Sequence, residues 1–208
     1  MAIPSREIGW SNESNLLWTI ANQMQQLNGL ITCGCEPGPP GPPGPQGPPG
    51  LNGVGWHGSF YDTTTQSVAS GAVKAMELNT TDALATNGFS ITNNGLGRPT
   101  RITAVNTGVY NLQFSAQLNR NTGGSPKQID IWIAVNGTPV PDSNTGITMQ
   151  ANDGKIVAAW NWFVFLAAGQ YVELMWTQND AIDILYVPAS GAIPVGTPSV
   201  IATISQVG

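Results

Sequence analysis

The spacing of apolar positions changes twice along the chain. Leu17, Ile20, Met24, Leu27 and Ile31 recur at steps of 3, 4, 3 and 4. That is the heptad spacing of a coiled-coil seam, and Trp10 lies one heptad before Leu17. The pattern predicts a helix over residues 13–32, capped by Ser11 or Asn12. Two to three heptads fit a short coiled coil and also fit an amphipathic helix lying on its own domain.

From Trp56 onward the period falls to two. In YNLQFSAQL (110–118), Tyr110, Leu112, Phe114, Ala116 and Leu118 share one face. In QIDIWIAVNGTPV (128–140), Ile129, Ile131, Ile133 and Val135 alternate up to an Asn136-Gly137 hairpin signal. The stretch 156–168, IVAAWNWFVFLAA, is apolar at nearly every position and predicts a buried strand. It is too short to span a bilayer. QYVELMWTQ (170–178) alternates less cleanly, and 199–207 makes a last strand with Val200, Ala202, Ile204 and Gln206 on one side. ASGAVKAMEL (69–78) has no clear period. Short strands separated by Gly, Asn, Pro and Asp predict an all-β sandwich or barrel over 55–208.

Between these regions apolar periodicity disappears, and glycine recurs every third residue: Gly38, Gly41, Gly44, Gly47, Gly50 and Gly53. Six glycines in phase arise by chance with odds on the order of one in a million per register. Three polyproline-type chains wound together leave room only for hydrogen at every third position. The strip 38–54 therefore predicts a collagen-like rod and, with it, three chains. Its five complete triplets, at about 3.1 Å per residue, would span roughly 45 Å. So short a rod needs a clamp at each end, and the heptad segment and the C-terminal domain flank it. Cys33 and Cys35, the only cysteines, lie in the junction 33–37. An interchain disulfide knot, a threefold ring of metal-binding thiolates and free thiols all fit that placement.

Composition sharpens this picture. Charged residues are 9% of the chain, against about 25% in an ordinary protein. Solubility rests on Asn, Thr, Gln, Ser and Gly, which favours turn-rich β structure. The net charge is −5 with seven Lys plus Arg and no basic cluster, so nucleic acid is not an expected partner. Residues 1–12 are polar and lack an apolar secretory stretch, which fits cytoplasmic synthesis without membrane insertion.

Candidate chemistry is sparse. His57 is the only histidine, and no Gly-x-Ser-x-Gly elbow accompanies it. Asp130, Asp142, Asp153, Glu173, Asp180 and Asp183 are the carboxylates available for glycoside hydrolysis. Asp180 and Asp183 in TQNDAID (177–183) form the closest pair, a candidate calcium loop or simply a turn. Exposed members of the seven tryptophans could stack on sugars, although tryptophan more often serves core and interface burial. The reading is non-enzymatic.

TGVYNLQFSAQL (107–118) resembles the Gly-x-Tyr-x-Phe-x-Phe signature of C1q and tumour-necrosis-factor-like jelly rolls. Gly108, Tyr110 and Phe114 match it, and Leu112 stands where the signature has an aromatic. With GSFYDTTTQ (58–66), NGTPVPDS (136–143), 157–176 and 198–207, the C-terminal region is similar to C1q-like heads of bacteriophage fibre proteins. Residues 8–27 resemble a leader of phage virion proteins. The resemblance implies a ten-stranded jelly roll that trimerises about a threefold axis. It also implies a fibre carried on the virion surface and assembled in the host cytoplasm. There the N-terminus would dock to a capsid, neck or tail protein, and the head would cap the trimer or touch host glycans. A secreted or spore-surface C1q-like binder and a tail-spike depolymerase are the alternatives.

Overall fold

The computed structural model describes residues 11–31, 55–150, 154–192 and 194–208. The chain divides into two compact units near residue 50, and each is taken by itself. The anchor peptide up to residue 10, the pair Cys33 and Cys35, Asp153 and the glycines Gly38, Gly41, Gly44, Gly47, Gly50 and Gly53 lie outside the described residues.

In the first unit, α1 runs Asn12–Ile31, one residue earlier at each end than the periodicity predicts. Of the two cap candidates, Ser11 fills the role. Its carbonyl accepts from Asn15 N at 3.0 Å, and its hydroxyl accepts from Ser14 N at 3.2 Å, which satisfies amides that the helix itself leaves open. The heptad positions Leu17, Ile20, Met24 and Leu27 are exposed in the single chain; the side chain of Ile31 lies outside the described set.

The second unit is a two-sheet antiparallel sandwich. Its strands are β1 (His57–Asp62), β2 (Lys74–Ala75), β3 (Thr80–Thr81), β4 (Phe89–Asn93), β5 (Pro99–Ala104), β6 (Gly108–Arg120) and β7 (Lys127–Val135). They continue with β8 (Thr138–Pro139), β9 (Thr145–Met149), β10 (Lys155–Leu166), β11 (Tyr171–Gln178), β12 (Ile182–Ile184) and β13 (Val200–Gln206). The first sheet has the order β10-β6-β13-β1-β3, with β12 also on β6. The second has the order β4-β5-β11-β7-β8, with β2 on β11 and β9 on β7. β5, β6, β7, β10, β11 and β12 fall alternately on the two sheets, with β8 and β9 staying beside β7, in the manner of a jelly roll. Thirteen strands appear among the described residues rather than ten. Nine of them have five or more residues, and four are pieces of two or three residues (β2, β3, β8 and β12) at sheet margins.

The period-two faces become the core. Tyr110, Leu112, Phe114, Ala116 and Leu118 point inward from β6 and meet Ile129, Ile131 and Ile133 of β7 and Leu174 and Trp176 of β11. Val135 is only partly buried, because β7 ends there in the hairpin to β8. That turn places Asn136 at φ 49° and Gly137 at φ 79°, the paired left-handed geometry that Asn-Gly adopts at little cost. The aperiodic stretch 69–78 supplies β2 and the fully covered side chains of Met76 and Leu78.

Candidate functional site

The signature strand β6 has two sides. On the inner side, Tyr110 donates from its hydroxyl to Asn106 O at 2.7 Å and meets Phe89 edge-on at 4.9 Å. Burial pushes its phenol above the ordinary tyrosine value. Gly108 sits in a tight place: a Cβ there would lie 3.1 Å from both Gln206 Nε2 and Gly208 O, so both would have to shift by a few tenths of an ångström. Leu112 stands where the signature has an aromatic, and the strand alongside brings rings to this part of the core. Trp162 of β10 is its register partner and stacks on Phe114 at 5.3 Å, while Trp160 meets Phe114 edge-on at 4.7 Å.

The outer side of this sheet is built differently. β10 is an edge strand of 12 residues. Its inward row is Ala158, Trp160, Trp162, Val164 and Leu166; its outward row is Val157, Ala159, Asn161, Phe163 and Phe165. Phe163 is 67% exposed, Phe165 61% and Val157 56%. The expectation that the apolar run 156–168 is buried therefore holds for only one of its faces in the single chain. Across β6 and β13 the outward positions are Val109, Asn111, Gln113, Ser115, Gln117, Ile201, Thr203 and Ser205. Asn161 donates to Asn111 Oδ1 at 2.9 Å. On β1 they are His57, Ser59 and Tyr61. Among the outward residues of these four strands, Lys155 and the ring of His57 are the only groups able to carry charge. An edge strand this long is normally blunted by charge, proline or a bulge. Depletion of charge around exposed aromatics marks the centre of a protein interface.

The carboxylates disperse. Asp180 Oδ2 is held by Lys127 Nζ at 2.6 Å, whereas Asp183 accepts from the amide of Asn121. The two carboxylates of the TQNDAID turn have separate partners, and among the described residues no group of three metal-ligating side chains occurs. Glu173 is buried, accepts from Thr100 Oγ1 at 2.6 Å and sits 3.7 Å from Arg101 Nε. It forms the floor of an open groove of about 530 Å³ with Lys74, Arg98 and Arg101. Glu77 at 3.0 Å from Lys74 and 2.5 Å from Arg98 satisfies the other two cations. Burial opposes ionisation of Glu77, but these two bonds and charges outweigh it and hold its carboxyl below the usual range. His57 bonds Gly55 O through Nδ1 at 2.9 Å. Asp130 and Asp142 share a second groove, described below.

Asp62 was not singled out by sequence reasoning. It is fully buried, and its Oδ2 accepts from Ser199 Oγ (2.9 Å), Gln66 Nε2 (2.9 Å) and Thr64 Oγ1 (2.8 Å). Gln66 extends the network to the backbone of Glu77. This polar knot fastens the end of β1 to the start of β13. No local pattern announces it, because its members are up to 137 residues apart.

No family model matches this chain, and no curated protein matches it. Among solved structures, Eiger TNF from S. frugiperda is similar with a TM-score of 0.52 at 10% identity, over 74% of this chain and 94% of that one. The likeness establishes a TNF-like jelly roll for the second unit.

Proposed function

We propose that the chain is a non-enzymatic, homotrimeric fibre protein of a phage virion. Its N-terminus anchors to a capsid, neck or tail protein, a short coiled coil and a collagen-like rod hold three chains in register, and the jelly-roll head contacts the host surface. The observation that carries this reading is the outer face of β10, β6 and β13, where Lys155 is the one charged side chain and Phe163 and Phe165 stand exposed on the edge strand. A protein that worked alone would leave this face in water. A neighbouring copy set against it would remove the aromatics from water and cover the unpaired edge.

Two further features support the same stoichiometry. The glycine period of 38–54 requires three strands around one axis. The heptad side chains of α1 are exposed in one chain, as a seam between helices would be before assembly. The virion assignment is supported by the resemblance of residues 8–27 and of the head to phage fibre proteins.

Sedimentation equilibrium on the full chain tests the assembly, with an expected mass three times the 21.8 kDa of one chain. A single-chain mass at micromolar concentration overturns it. Immunogold labelling of particles with antibody to the head tests the virion assignment. Non-reducing gels show whether Cys33 and Cys35 join the chains.

A further inference from the structure

Trp132 is the one tryptophan of the head that the core does not use. Trp176 belongs to the core cluster, and Trp56, Trp160 and Trp162 pack against it; Trp132 does neither. It stands on the outer side of the second sheet, partly exposed, in register with Met175 of β11. It lines an open groove of about 490 Å³ with Asp130, Asp142, Asn144, Thr177 and Pro139.

The walls of this groove are held in place. Asn144 Nδ2 donates to Asp130 Oδ1 at 3.3 Å, and Gln128 Nε2 donates to both Asp130 oxygens at 3.0 and 3.1 Å. Asp142 sits at φ 59°, a left-handed conformation that aspartate tolerates better than most residues. Its neighbour Ser143 is buried and locks the loop. Ser143 Oγ donates to Val140 O at 2.8 Å and accepts from Ile133 N at 3.3 Å, while Ser143 O accepts from Trp162 Nε1 at 3.1 Å. The loop therefore presents Asp142 and Asn144 beside the indole without needing to be ordered on binding.

We propose that this groove is a subsite for a neutral hexopyranose unit of a surface glycan. The proposal rests on the host-contact role given above and deepens it. A flat indole matches the C–H face of a pyranose ring. The carboxylates accept from vicinal hydroxyls, and Asn144 and Thr177 can both donate and accept. No cation lines the groove, so an acidic sugar would meet two carboxylates and no counter-charge. The groove lies on the sheet opposite the β10 face, so assembly through that face leaves three copies open. Three weak sites on one rigid head bind a repetitive surface with avidity gains of roughly 10²–10⁴.

The test uses the full chain on an array bearing neutral hexose oligomers, sialylated and uronic-acid glycans and a Lys/Arg-rich peptide. Solution titration of retained glycans and sedimentation of the same samples complete it. Wild type should retain at least one neutral glycan. Trp132→Ala should weaken that binding at least about tenfold, with melting and sedimentation unchanged. Asp142→Ala and Asn144→Ala should also weaken it, and they decide the matter if Trp132→Ala melts early. Leu96→Ser should leave binding unchanged. Absence of neutral-glycan binding, binding indifferent to these substitutions, or Trp132-dependent capture of the basic peptide instead would overturn the subsite. Trp132-dependent glycan binding by a protein that sediments as a monomer would keep the subsite and remove the fibre reading. A trimer that ignores Trp132 would do the reverse.

Discussion

Replacing both Phe163 and Phe165 by Ser probes the proposed assembly face directly. Both side chains are roughly two-thirds exposed in the single chain. Full burial of a phenylalanine is worth about 1.5–3 kcal/mol, so closing the remaining two-thirds contributes about 1–2 kcal/mol per ring. Six rings per trimer give about 6–12 kcal/mol. The dissociation constant of a trimer carries the square of concentration, so the midpoint of assembly should move by about 10²–10⁴-fold. The assay is a dilution series of residues 55–208 by sedimentation or light scattering. This segment contains the whole described core, and removing the upstream regions prevents them from masking the effect. Leu96→Ser is the control: Leu96 is 82% exposed, more than either phenylalanine, but lies off this face, so its loss should leave the midpoint in place. A wild-type head that stays monomeric at about 100 μM, against the micromolar-or-tighter range of stable assemblies, refutes the argument. So does a double variant that assembles as well as wild type.

Tyr110→Phe removes the hydroxyl donor to Asn106 O and should cost about 1–2 kcal/mol, read as a fall of about 2–8 °C in the melting temperature of the head. Asp62→Ala leaves the hydroxyls of Thr64 and Ser199 and the Gln66 amide without their acceptor. It should cost at least about 1–3 kcal/mol in denaturant unfolding, the range for a buried donor left unsatisfied, with Asp62→Asn milder because one oxygen remains. The Glu77 carboxyl is held below its ordinary value, so its contribution is complete above that value and disappears as pH falls through the depressed one. Glu77→Gln should therefore flatten the acid limb of the stability profile and lower the plateau at neutral pH. Gly44→Val should lower the melting of the collagen-like strip followed by circular dichroism and spare the transition of the head, whose described core lies wholly within the second unit.

Much of the fold was legible because period two survives wherever a strand has one wet side. The inward rows of β6, β7 and β13 and the Asn136-Gly137 hairpin could be read directly. β10 was half legible. Its two apolar faces signal burial on both sides, but one chain offers a neighbour on only one, so sequence could not separate a central strand from an edge that meets another copy. Trp132 falls between Ile131 and Ile133, off their inward row, so its face was legible, whereas Trp160 and Trp162 lie in a run apolar on both faces and could not be placed from sequence. Only the side that β10 turns to the core places those two. The Asp62 knot was invisible because Ser199 lies 137 residues away, and the Ser143 lock because it forms only once β7, its loop and β10 are packed together.

The first and last segments of the head run side by side: Gln206 N donates to Trp56 O at 2.8 Å, and Val109 N donates to Gly208 O at 2.9 Å. The polypeptide therefore enters and leaves the sandwich at the same corner. A peptide or fluorophore grafted after Gly208 would emerge next to the incoming chain, while cargo meant for the opposite end of the sandwich belongs in a turn such as 121–126, which reverses the chain at the other end of β6.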